Sequence, residues 1–137
     1  MTFPIDKSFS RSRAFREMPA LRIPSGWRIA WNVLSSEMGE DLTGIGGSSL
    51  YNATNEAMRF NIDVAFRPEF DPAGAFELNV IYCPWPRSER GRRIKDQPLS
   101  FLDGQVVHSF ETRSYNQLIE ELEDWIAECS VRVVEGN

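Results

Sequence analysis

The residues best equipped for chemistry lie between Cys83 and Pro98, in the run CPWPRSERGRRIKDQP. Trp85 stands between two prolines, and Arg87, Arg90, Arg92, Arg93 and Lys95 follow with only Glu89 as an acid among them. A guanidinium presents N–H donors in a planar fork that matches a carboxylate or a phosphate. Trp and Arg are also among the residue types most enriched at binding hot spots. The segment therefore reads as a partner-binding loop whose contact residues are Trp85, Arg87, Arg90, Arg92 and Arg93. The competing reading is a solvated charged loop whose tryptophan folds back to seal a sheet edge.

Other chemistry has thinner support. His108 is the single histidine and so the one conventional base, but no G-x-S-x-G elbow accompanies it. A small enzyme using His108 with Asp63 or Glu77 is the least favoured reading, and no catalytic residue is assigned. One histidine and two distant cysteines, Cys83 and Cys129, do not supply a metal-ligand set; no metal and no cofactor is expected. The run Gly44 to Ser49 lacks the spacing of a phosphate-binding loop.

Charge is sorted along the chain. The formal net charge is −5, yet residues 1–36 carry +4, 37–86 carry −6, 87–95 carry +4 and 96–137 carry −7. Alternating blocks predict basic and acidic surfaces that steer charged partners over about a Debye length, ~8–10 Å in physiological salt. The last block includes Glu120, Glu121 and Asp124 on a predicted helix, a second candidate docking surface suited to a basic partner. No stretch approaches the roughly 18 apolar residues that span a bilayer, and the first fifteen residues show no apolar signal-peptide core. With two cysteines in different predicted elements, the expectation is a cytoplasmic protein with free thiols and no membrane partner.

The elements that must position these residues follow from periodicity. A 137-residue chain with 42% apolar residues fits one domain, with residues 1–22 as a basic N-terminal arm. Trp27, Ile29, Trp31 and Val33 alternate with polar or small residues, which predicts a half-buried strand. Residues 35–58 are rich in Gly, Ser and Asn and read as a long loop with a short helix near Leu50 to Met58. Phe60, Ile62, Val64 and Phe66 face Phe76, Leu78, Val80 and Tyr82 across the turn-forming run from Arg67 to Ala75. Pairing Phe66 with Phe76 makes one face wholly apolar in a single register. The opposite face then carries Asn61, Asp63, Glu77 and Asn79, with Asn32 alongside. Asp103-Gly104 predicts a two-residue hairpin joining Leu99–Leu102 to Gln105–Phe110, with Leu99 opposite His108.

The last element is a helix. Ser114 caps it, Gln117 completes a capping box, and Leu118, Leu122, Trp125, Ile126 and Cys129 form one stripe of a 3.6-residue period. The fold expected is α+β, an antiparallel sheet of about five strands with a C-terminal amphipathic helix packed on one face. Val131, Val133 and Val134 would add an edge strand or pack as a tail.

The residues Ile23-Pro24-Ser25-Gly26-Trp27 leading into a strand, Phe70-Asp71-Pro72-Ala73-Gly74 between two strands, and a closing acidic helix ending Asp124-Trp125-Ile126 make a layout that resembles small cytosolic immunity proteins of bacterial polymorphic-toxin systems. That resemblance implies a non-enzymatic protein that neutralises a toxin by binding it. The alternative partner is a nucleic acid or another anionic ligand held by the basic loop 84–95, with Trp85 stacking on a base.

Overall fold

The computed structural model describes residues 21–35, 38, 49–68, 70–71, 73–97, 99–101 and 104–132. Within them, five strands form one antiparallel sheet in chain order. The strands are β1 (Arg28–Asn32), β2 (Tyr51–Asn55), β3 (Phe60–Arg67), β4 (Ala75–Tyr82) and β5 (Gln105–Thr112), and helix α1 (Tyr115–Val131) follows. The fold is α+β, with α1 against one face of the sheet. Residues 1–20 of the basic N-terminal arm and the predicted tail at Val133 and Val134 lie outside the described residues.

The β3–β4 hairpin has the register that its apolar residues demand. Phe66 pairs with Phe76, Val64 with Leu78, Ile62 with Val80 and Phe60 with Tyr82, and all eight side chains are buried. Rings pack edge-on between Phe66 and Phe76, with centroids 5.1 Å apart. Gly74 is required here for space: a Cβ would lie 2.5 Å from the Phe66 ring and 2.7 Å from the Pro68 carbonyl oxygen. Leu118, Leu122, Ile126 and Cys129 of α1 close the core from above together with Tyr115.

The helix start is built differently from a reciprocal capping box. Ser114 Oγ accepts from the Gln117 backbone N–H at 3.2 Å, as its position requires. The Gln117 side chain instead accepts from Thr112 Oγ1 at 2.7 Å, and Thr112 Oγ1 accepts the Ser114 N–H at 3.0 Å. The last residue of β5 thus takes the place that Gln117 was expected to fill. Trp125 falls beside the buried stripe rather than within it, half-buried.

Several expectations are corrected. Residues 51–55 form β2, not a helix, because Tyr51 and Ala53 enter the core while Asn52 and Thr54 meet polar partners on β3. Asn52 Nδ2 donates to Asp63 Oδ1 at 3.1 Å, and Asn61 Nδ2 donates to Thr54 Oγ1 at 3.0 Å. β1 is a strand, but its apolar alternation is not buried: a register shift between Ile29 and Trp31 turns the pattern over at the sheet edge. Trp31 and Val33 remain 46% and 56% exposed. The shift also places Asn32 opposite buried Tyr51 and brings Trp31 opposite Asn52. Trp31 Nε1 donates to Ser49 Oγ, whose hydroxyl donates to Asp63. Finally, Leu99 to Phe101 form no strand, and β5 pairs directly with β4. A shift between Val80 and Ile81 sets His108 opposite Val80 and sends Val106 to the other face, opposite Ile81. Gly104 makes that join close, since a Cβ there would stand 2.6 Å from Ile81 Cγ2.

Candidate functional site

At the end of the sheet where β3 begins and β4 ends, the chain makes two turns that face each other. The first joins β2 to β3: the Met58 N–H donates to Asn55 Oδ1 at 3.1 Å and the Arg59 N–H to the Asn55 carbonyl at 2.8 Å. This turn holds Arg59 at φ 67°, a left-handed conformation that costs a non-glycine residue of order 1 kcal/mol or more. The Cys83 N–H donates to the Arg59 carbonyl at 2.9 Å, which carries the β3–β4 ladder one step past the strands. The consequence is that the Arg59 side chain lies under the segment leaving β4.

There the guanidinium is held by main-chain oxygens. Nε donates to the Cys83 carbonyl at 2.9 Å and Nη2 to the Pro84 carbonyl at 3.2 Å. Its central carbon stands 4.1 Å from the centroid of the Trp85 ring, within the range of a cation–π contact. Arg59 is only 5% exposed, and among the described residues no carboxylate pairs with it. Burial of an unpaired charge costs several kcal/mol unless oriented dipoles replace water; here two carbonyls and one aromatic face do so.

The second turn is the basic loop itself, folded as a miniature hairpin. Arg87 and Arg93 form an antiparallel bridge, the Ser88 N–H donates to the Arg92 carbonyl at 2.8 Å, and the Ile94 N–H donates to the Pro86 carbonyl at 2.8 Å. Gly91 takes φ 79° at the tip, a value that glycine adopts without steric penalty. Arg87 Nη1 donates to the Gly91 carbonyl at 2.8 Å. The Arg93 guanidinium carbon lies 5.4 Å from the Trp85 ring. Arg87, Arg90, Arg92, Arg93 and Lys95 are exposed, and Trp85 is half-buried. A cleft of about 320 Å³ opens between the turns, lined by Arg59, Cys83, Pro84, Trp85, Pro86, Gln97 and Ser100. The positive field reaches inward: burial raises the Tyr82 hydroxyl pKa above its usual 10.0, and Arg59, Arg93 and Arg87 pull against that rise.

The helix carboxylates are placed apart from this loop. Glu120 and Asp124 are exposed on α1, whereas Glu121 turns toward the sheet. Its Oε2 lies 3.4 Å from His108 Nε2 and accepts from Trp125 Nε1 at 3.2 Å. The His108 ring stacks on Trp125 with centroids 4.4 Å apart, and the Arg132 guanidinium lies 5.5 Å from the same indole. Glu123 accepts the Arg22 backbone N–H at 2.9 Å. No ion pair joins α1 to the arginine loop among the described residues.

Asp63 and Glu77 each have their own partners. Asp63 accepts from Ser49 and Asn52, and Glu77 faces Arg67 at 3.6 Å. Asn61, expected on a solvated face, is only 6% exposed. Among the described residues no group of three His, Cys, Asp or Glu side chains is arranged to hold a metal ion. Cys83 and Cys129 are free and buried. Cys83 Sγ donates to the Ser100 carbonyl at 2.7 Å, and burial pushes the Cys129 thiol pKa up to about 12. No helix among the described residues is long and apolar enough to cross a membrane.

Sequence reasoning missed Arg59, the residue on which this end of the molecule is organised. Its only local signal is a position between a run of turn residues and the first apolar residue of β3; its partners lie 24 and 25 residues away. The chain matches no protein-family model, no curated protein and no solved structure.

Proposed function

We propose that the chain is a non-enzymatic protein-binding module of the immunity or antitoxin type, which neutralises a toxin in the cytoplasm by binding it. The observation that carries this reading is the arginine hairpin: Trp85 is stacked on Arg59, and Arg90 and Arg92 stand exposed on a turn fixed by its own hydrogen bonds. A preorganised patch of this kind loses little conformational entropy on binding. It suits an acidic protein surface better than a nucleic acid, because Arg59 already covers the indole at 4.1 Å where a base would stack. The overall charge of −5 also opposes a polyanion. The two free buried thiols fit a reducing compartment.

Co-expression with a toxin encoded beside its gene tests this directly. Growth should be rescued by the native chain and lost on charge reversal at Arg90→Glu with Arg92→Glu, whose exposed side chains leave the fold intact. Rescue unaffected by that double change would move binding to another surface, and absence of any rescue would sink the toxin assignment. Steep salt-dependent binding to single-stranded oligonucleotides, lost in the same variant, would replace the reading with a nucleic-acid one.

A further inference from the structure

The cleft beside Trp85 contains a feature that the exposed arginines do not explain. Arg59 is 5% exposed and meets no carboxylate among the described residues. Its Nε and Nη2 are engaged by the Cys83 and Pro84 carbonyls, which leaves Nη1 without an acceptor among those residues. The residue is held in a left-handed backbone conformation, and such outliers persist only where surrounding structure enforces them. The guanidinium lines a cleft of about 320 Å³ whose other polar walls are Gln97 and Ser100, and Trp85 closes one side. That volume holds several water-sized groups, since one water occupies about 30 Å³.

We infer that this cleft is a carboxylate receptor: it takes an Asp or Glu side chain of the partner, with Arg59 as the buried cation and Gln97 as a rim donor. The inference rests on the protein-binding reading above and names its anchor. Physically, a buried guanidinium gives a stronger charge-assisted hydrogen bond than an exposed one, because little water competes. The exposed Arg90 and Arg92 would then govern encounter, and Arg59 the residence time. An acidic protein segment is favoured over a phosphate chain because Arg59 already occupies the indole that a nucleotide base would use.

The experiment uses the full-length chain and soluble polyglutamate as probe, with polyglutamine of equal length as the neutral control. NMR signals of the Arg59 Nε–H and the Trp85 indole N–H report the cleft, and backbone amides of Arg90 and Gly91 report the hairpin. Polyglutamate should shift both sets to saturation, while polyglutamine shifts neither. Arg59→Lys should weaken polyglutamate binding about tenfold or more, the cost of losing a fork-shaped charged donor. Gln97→Ala, at an exposed rim position, should weaken it severalfold without touching the fold. If the hairpin amides shift while the Arg59 and Trp85 signals stay fixed, the receptor is overturned and the binding module stands. If no signal moves, both fail. An oligothymidylate that shifts the Arg59 signal at lower concentration than polyglutamate overturns the carboxylate assignment. Unfolding curves of Arg59→Lys and Gln97→Ala separate lost binding from lost structure, and normal binding by folded Arg59→Lys also overturns the proposal.

Discussion

Trp85 and Trp125 both stack on nitrogen-bearing groups, but the two groups are held in different ways. Around Trp125, Glu121 accepts the indole N–H and lies beside His108, and Arg132 approaches from the helix end while pairing with Glu128 at 2.9 Å. Around Trp85 stand Arg59 and Arg93, and among the described residues Arg59 is offset only by carbonyl oxygens. The first group has carboxylates among its members and ties α1 to β5. In the second, main-chain carbonyls hold the Arg59 guanidinium at the wall of a half-open cleft. Residue types alone do not separate the two stacks; what holds the guanidinium does, a carboxylate for Arg132 beside Trp125 and main-chain carbonyls for Arg59 beside Trp85.

The largest effect expected to sharpen this contrast comes from alkali. Burial raises Tyr51 and Tyr115 to about 12 from 10.0, and Cys129 to about 12 from an ordinary 9.0. Each group is essentially neutral in both folded and unfolded chains below about pH 8 and has little effect there. As pH rises the unfolded chain ionises first, so stability falls between about pH 8 and pH 12. Urea unfolding across that range should show the decline, and ultraviolet difference spectra of Tyr→Phe variants should find Tyr82, relieved by its three arginines, ionising before Tyr51 and Tyr115.

Next in size is removal of the buried cation. Arg59→Ala deletes two hydrogen bonds and the indole contact, and should destabilise the protein by about 3 kcal/mol in urea unfolding. Arg59→Gly should be more stable than Arg59→Ala by about 1 kcal/mol, the reverse of the usual order, because φ is positive at that position. A normal order would break the assignment of strain. At the Trp125 stack the effect is smaller. Glu121→Gln should cost about 1 kcal/mol, and a double-mutant cycle with His108→Ala should give a coupling below about 1 kcal/mol, as expected of a partly exposed pair. Smallest of all, Arg90→Glu with Arg92→Glu should leave stability within about 0.5 kcal/mol, while slowing association with an acidic partner and flattening its salt dependence.

What could be read from the sequence follows the range of the interaction. The β3–β4 register was legible because four apolar residues on each strand admit one alignment only. Helix α1 was legible because its stripe and Ser114 cap are local. β2 was not, since Asn52 and Thr54 look like loop residues until Asn61 and Asp63 come opposite them. The Asp103-Gly104 signal suggested a hairpin that long-range pairing of β5 with β4 displaced. In the candidate site, Trp85 and its arginines announced themselves by composition. Arg59 did not, because its role depends on a turn and on carbonyls from a distant strand end.

One side-chain contact links the segment before β1 to the last turn of α1. The Trp27 indole donates to Ser130 Oγ at 2.8 Å, across 103 positions, and Ser130 Oγ in turn donates to the Ile126 carbonyl at 2.6 Å. Such a clasp forms only after nearly everything between its ends is in place, so its closure entropy is recovered late in folding. The edge strand β1 and the last turn of α1 should therefore open together, exchanging their amide protons at one common rate, while the hairpin beneath them stays shut.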